Sequence, residues 1–274
     1  MQHGTYKNND TKKELQERGE KYLGYFYKVP RAYLETDYKE LMVRFCLACD
    51  SNIDGYTSVC IGRICEMCGY STTNRNKTNG SFSSYVKGVL RQLIDNEEII
   101  QTWGGNINSV KGGSLLQFKL LDKFFDSQPD NFSKLTKEAF DTLMRIECKF
   151  TKATLLKIYT YIRGHIIENS ATAYGFYKSV DIACLELAVS RQTLDDCLDL
   201  FVENGLFIRH LTGSCYVNGN PKNVPNIYVL PDDNARNNID MILKEMKQRY
   251  KVKKFAPMLL PNIKKKEKLS NSGD

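Results

Sequence analysis

The chain has 274 residues, 42% of them hydrophobic and 26% charged, which is enough for about two domains that each bury a core. No apolar run reaches the roughly eighteen residues that a membrane span needs, and the opening MQHGTYKNNDTKKELQERGEK has no apolar signal segment. Neither a membrane-spanning nor a secreted protein is expected from this, and a cytoplasmic one is.

The net charge is +7, from 39 basic and 32 acidic side chains. The excess lies in the last forty residues, which hold eleven basic and four acidic groups, while the rest of the chain is nearly balanced. A nucleic-acid surface in the body of the protein must then be a local patch. The nine cysteines are expected as reduced, buried thiols.

A weak internal duplication organises the sequence. SVCIGRICEMCGYS, ending at Ser71, aligns with YKSVDIACLELAVS, ending at Ser190, so that Ile61, Cys65 and Cys68 fall on Val180, Cys184 and Leu187. LRQLIDNEEII from Leu90 aligns with LDLFVENGLFI from Leu198, placing Leu93 on Phe201, Ile94 on Val202 and Asn96 on Asn204. The first copy carries eleven extra residues between these two segments.

In chain order, residues 1–36 form an N-terminal arm and 37–121 the first unit. That unit has helices at ELMVRFCLACD, VCIGRICEMCG and FSSYVKGVLRQLIDNE, the last capped by Ser81, then strands IIQTW and SLLQFKLL around GGNINSVKGG. Residues 122–149 read as a linker carrying a short helix, and 150–231 as the second unit. There Leu155, Ile158, Tyr159, Ile162 and Ile166 recur at helical spacing, Ser179 and Ser190 stand at N-caps, and Gly205 supplies a left-handed stop. FIRHL and NIYVL follow as strands joined by the tip TGSCYVNGNPKNVP. Residues 232–274 hold a helix with Ile239, Ile242, Leu243 and Met246 on one stripe and a basic tail, KKKEKLSNSGD, expected to be disordered. The expected class is α+β, mainly helical with small β-hairpins, built as two tandem winged helix-turn-helix units.

The run FYKVPRAYLE, a helix, DGYTSVCIGRICEMCGYS, a third helix and a hairpin resembles the winged-helix domains of replication initiators and replisome-organiser proteins from plasmids and phages of low-GC Gram-positive bacteria. The resemblance covers most of residues 25–231. It implies double-stranded DNA as the partner and replication initiation or related control on a mobile element, with a transcription regulator of the same architecture as the alternative. A replisome component or a second copy would be a further partner.

Cys46, Cys49, Cys65 and Cys68 have zinc-site spacing, but the first pair sits inside an apolar helix and the second on core positions, so buried thiols are expected. Asp50-Ser51-Asn52-Ile53-Asp54-Gly55 copies half of a calcium loop whose twelfth position is Ile61 and cannot ligate. No phosphate-loop motif occurs, and His3, His165 and His210 are scattered. The sequence predicts no enzyme, no metal, no cofactor and no small-molecule substrate.

From Tyr70 to Gln92 the chain contains Arg75, Lys77, Lys87 and Arg91 and no carboxylate, a local phosphate-binding patch. With Val86, Val89, Leu90 and Leu93 inward, Ser83, Ser84, Lys87 and Arg91 turn outward as candidates for a major groove. Asn106, Asn108 and Lys111 on the first tip join them. In the second unit Arg191, Gln192 and Thr193 open the equivalent helix, but Asp195, Asp196, Asp199 and Glu203 follow. That helix suits DNA contact through its first turn or a protein-contact face. Arg209, Lys222 and Asn223 on the second hairpin are backbone or minor-groove candidates.

Overall fold

A computed structural model of the chain describes residues 26–52, 54–70, 77–126, 132–166, 174–217 and 219–258. Strand β1 (Tyr27–Pro30) leads to helix α1 (Tyr38–Cys49), where Asp37 accepts bonds from the Lys39 and Glu40 amides and Leu41, Met42 and Phe45 turn into the core. The turn after α1 uses its Asn and Gly for geometry. The Asn52 side chain accepts from the amides of Asp54 (3.1 Å) and Tyr56 (2.8 Å). Gly55 has φ +79°, and a Cβ there would lie 2.8 Å from the Leu120 carbonyl oxygen, so only glycine fits. Then come β2 (Tyr56–Val59), α2 (Ile61–Met67), α3 (Lys77–Asp95), β3 (Ile99–Gln101) and β4 (Leu116–Leu120). The three strands form an antiparallel sheet in the order β2-β4-β3. Helix α3 begins at Lys77, so Ser81 lies inside it and does not cap it.

Residues 122–149 are more than a linker with one helix. They contain α4 (Asp122–Asp126), β5 (Phe132–Leu135) and α5 (Lys137–Arg145). Strand β5 pairs antiparallel with β1, so the end of the expected N-terminal arm and the expected linker form one ribbon. Thr136 caps α5 through the Ala139 amide.

The second half starts with α6 (Lys152–His165), capped by Thr151. It continues through a one-residue bridge at Phe176, α7 (Val180–Leu187), α8 (Arg191–Glu203) and β6 (Ile208–His210). Ser190 accepts the Thr193 amide and caps α8, and Gly205 ends it at φ +71°. Ser179 occupies the N-cap position of α7 but makes no side-chain cap bond. The expected tip loop is itself a hairpin, β7 (Ser214–Val217) against β8 (Asn220–Asn223), before β9 (Ile227–Val229) pairs with β6. Phe176 bridges to Tyr228 on β9, giving the order Phe176-β9-β6, the same as β2-β4-β3.

Both halves thus run helix, extended segment, helix, helix, hairpin. Of the aligned residues, Leu93 and Phe201 are buried, Ile94 and Val202 half-buried, Asn96 and Asn204 exposed, and Cys68 and Leu187 buried, whereas Ile61 and Cys65 are buried but Val180 and Cys184 only half-buried. The chain is a mixed arrangement of helices and small antiparallel sheets. The halves share one continuous core from Tyr27 to Tyr228, to which Phe45, Phe140, Tyr161 and Phe201 contribute their largest side chains. Helix α9 (Ala235–Tyr250) closes a second, smaller cluster by packing Ile242 and Met246 against Ile227 and Val229, with Ile239 and Leu243 at its edge. The KKKEKLSNSGD tail lies outside the described residues. Among the described residues no helix is long and apolar enough to cross a membrane.

Candidate nucleic-acid interface

Helix α3 is amphipathic, and its inner stripe of Val86, Val89, Leu90 and Leu93 is buried as its spacing predicts. Aromatic stacking fixes its start: Phe82 lies between Tyr70, at 3.9 Å between ring centroids, and Tyr85, at 5.9 Å. The Tyr85 hydroxyl donates to Asp37 at 2.7 Å, and burial together with that carboxylate pushes its pKa above the usual phenol value. These contacts hold α3 against α1 and the end of α2.

The outer stripe is Ser84, Gly88 and Arg91, with Ser83 half-exposed beside it. Arg91 is exposed, and its guanidinium reaches the Lys87 carbonyl at 3.4 Å. At Gly88 nothing lies within 4 Å of where a side chain would begin, so a partner's backbone can approach the helix closely there. A mid-helix glycine costs about 1 kcal/mol relative to alanine. Helical periodicity alone did not single out this position. Arg75 lies outside the described residues, and Lys77 begins α3.

Lys87 does not point freely outward. Its ammonium donates to the carbonyls of Asn108 (3.2 Å) and Val110 (2.7 Å) and clips the β3–β4 connection onto α3. A second tie runs from the Gly62 amide to the Gly112 carbonyl at 2.8 Å. Within the connection, the Gln101 amide group donates to the carbonyls of Trp103 (2.8 Å) and Gly105 (2.6 Å). Asn106 caps the short 3-10 turn Ile107–Ser109 by accepting the Asn108 amide, so its side chain serves the loop. Ile107 and Val110 are buried, while Asn108 and Lys111 remain exposed beside the outer stripe.

The second half differs at every candidate that α8 carries. Arg191 lies 3.5 Å from Asp181 and 3.7 Å from Asp195, and Gln192 donates to Asp196, which also takes Lys149 at 2.6 Å. Thr193 shares a hydroxyl contact of 2.8 Å with Ser190 in the cap. On β6, Arg209 is bonded to Asp199. Only Lys222 and Asn223, on β8, stand exposed away from carboxylates of α8, and Asn223 has a further contact of its own. Next to this face Ile182 and Leu185 of α7 are exposed, Leu185 at 79%.

The zinc-spaced cysteines are core residues. Cys46, Cys65 and Cys68 are buried, Cys49 is half-buried, and the Cys46 and Cys68 sulfurs touch at 3.6 Å. Burial pushes the Cys46 thiol well up, with Cys68 adding to it, and raises Cys49 to about 12 and Cys65 to about 11. Among the described residues no group of three or more His, Cys, Asp or Glu side chains is arranged to hold a metal ion. His165 is half-buried against Tyr161, its Nδ1 donating to the Tyr161 carbonyl at 2.8 Å, and burial lowers its pKa.

No protein-family model matches the chain, and no curated protein matches it.

Proposed function

We propose that the chain is built as two tandem winged helix-turn-helix units and binds double-stranded DNA chiefly through the first, with the outer stripe of α3 entering a major groove. The observation that carries this reading is the acid-free stretch from Tyr70 to Gln92, of which residues 77–92 lie on an amphipathic helix whose outer face is Ser84, Gly88 and Arg91. The repeated order of helix, strand, helix, helix and hairpin, with matching strand order in both halves, supports the tandem architecture. Ser83, Ser84 and Lys77 lie toward the helix N-terminus, Arg91 supplies phosphate charge, and Lys111 approaches from the hairpin. Lys87 acts by positioning that hairpin.

The second unit plays another part in this proposal. Its helix α8 has its base-reading side chains engaged by its own carboxylates, and a carboxylate-rich face is repelled by phosphate. We assign it to protein contact, with a replisome component or a second copy, and leave Lys222 as its only phosphate contact. The resemblance noted above extends the role to replication initiation on a plasmid, phage or other mobile element, with transcription control by the same architecture as the alternative.

A gel shift of the full chain on random duplex at about 50 mM and about 200 mM salt tests DNA binding. Retardation at low salt that weakens at high salt is expected; no retardation at low salt refutes the reading and leaves the protein-contact module alone.

A further inference from the structure

Helix α9 follows the second unit and carries a basic face outside both units. Residues 235–254 contain seven basic side chains and two acidic ones. Of the two acids Glu245 is engaged, accepting from the Tyr177 hydroxyl at 2.9 Å and from Arg249 at 2.8 Å. Lys244, Lys247 and Lys251 follow one another at spacings of three and four, and so share one face of the helix. The helix stops in a left-handed turn at Lys251, φ +53°, a conformation that glycine would adopt without strain. The Val252 amide ties this turn to the Lys247 carbonyl at 3.0 Å. Beyond it the chain is fixed by Phe255 against Tyr250 and by Ala256 pairing with Ser214 on β7. The return brings Lys253 into a groove of about 460 Å³ with the other three lysines, and Asp240 is the one carboxylate of its lining.

Among the described residues none of these four ammonium groups has an ion pair, hydrogen bond or ring contact. The helix end offers about half a negative charge, and Asp240 adds its own, so the four lysines stay under-compensated. A run of phosphates supplies the missing charge, and binding it releases counterions. At about 1.5 Å per residue, Lys244 to Lys251 spread over about 10 Å, a line of charge that suits an extended backbone better than a single small anion. No aromatic ring lines the groove, so unpaired bases find nothing to stack on, and the duplex offers the denser phosphates. We infer that the α9 groove holds the phosphate backbone of double-stranded DNA, without reading its sequence, through Lys244, Lys247, Lys251 and Lys253. The site rests on the duplex partner proposed above but on none of the α3 residues.

The test uses the full chain and labelled random duplex, followed by anisotropy across about 50–200 mM salt. Lys244→Gln, Lys247→Gln and Lys253→Gln together should weaken binding about tenfold or more at the low-salt end and make the salt slope shallower by about 2.7, the value for three lost phosphate contacts. The control with Lys39→Gln, Lys137→Gln and Lys149→Gln, exposed lysines of other segments, should leave the slope unchanged. A photoreactive group at Gln248→Cys in the groove, with the exposed Cys148 replaced by serine, should crosslink to duplex and far less to oligothymidylate. Melting of each variant reports whether it is folded, and if the triple groove variant fails to fold, crosslinking from position 248 decides. An unchanged slope in the folded groove variant, an equal change in the control, or no crosslink from 248 while the duplex is still bound overturns the inference. Preferential crosslinking to oligothymidylate overturns it as well. No duplex binding by the wild type removes both this site and the α3 reading, whereas crosslinks from 248 with binding unaffected by Arg91→Gln count against the α3 reading alone.

Discussion

Replacing Lys87 with methionine separates a positioning role from a phosphate-contact role. The change keeps the stem that packs along α3 and removes the two bonds from Nζ to the carbonyls of Asn108 and Val110. Asn108 is exposed, so water can replace the lysine at its carbonyl. Val110 is buried, and losing a 2.7 Å charged donor there leaves a desolvated acceptor, a loss of about 2 kcal/mol. That is about a thirtyfold rise in local opening of residues 106–112. Amide exchange at Ser109 and Val110, and emission of Trp103, the only tryptophan in the chain, both report the hairpin. Lys111→Met, removing an exposed lysine from the same connection, is the control and should change neither. For duplex binding, Lys87→Met should lower affinity at all salt concentrations in parallel, because the lysine charge is already committed to the loop. Unchanged exchange and emission, or a salt slope reduced by about 0.9 as for a lost phosphate contact, would refute the clip.

Three further outcomes follow from the same structure. Glu98 accepts a two-pronged bond from Arg44, at 2.5 Å and 3.0 Å; burial alone would raise its pKa, but Arg44 outweighs burial and holds it below 4.5. Its stabilisation is therefore full above pH 4.5 and is lost as pH falls below that value, so Glu98→Gln should cost about 2 kcal/mol near neutrality and flatten this part of a melting-versus-pH curve. Gly55→Ala should destabilise by about 3 kcal/mol in a denaturant titration, from its positive φ and the 2.8 Å approach to the Leu120 carbonyl. Among the described cysteines, Cys148 is the exposed one, so an alkylating agent on the native protein should modify it first and leave Cys46 unmodified until unfolding; early labelling of Cys46 contradicts the buried-pair geometry.

Much of the architecture was legible because helices advertise themselves by period. The stripes on α3, α6, α8 and α9 were read from spacing, and the duplication placed Leu93 on Phe201 and Asn96 on Asn204, pairs that match in burial. What escaped was short and non-local. Strands β1 and β5 are four residues each and far apart in the chain, so neither shows enough alternation to stand out, and their pairing turned an expected linker into part of the core. Residue Phe176 does the work of a strand through one bridge, which no pattern can reveal. The β7–β8 hairpin is hidden by Asn-Pro-Lys-Asn on its outer strand, all exposed.

At the site, helical geometry correctly turned Ser84 and Arg91 outward but could not foresee that residues 106–112 fold back over Lys87. The engagement of Arg191 and Gln192 was partly visible, since Asp195 and Asp196 follow each by four residues, the spacing at which helical side chains meet. Arg209 meeting Asp199 depends on the hairpin returning beside α8 and was not.

The most direct test of the central claim is site-specific photo-crosslinking to random duplex DNA. A photoreactive group is attached at Ser84→Cys on the outer stripe of α3 and, separately, at Gln192→Cys on α8, in a chain whose exposed Cys148 is replaced by serine. Crosslinks to DNA from position 84 and none from position 192 are the predicted result. Crosslinks from 192 alone, or from neither position while the duplex is still retarded in a gel, would contradict it.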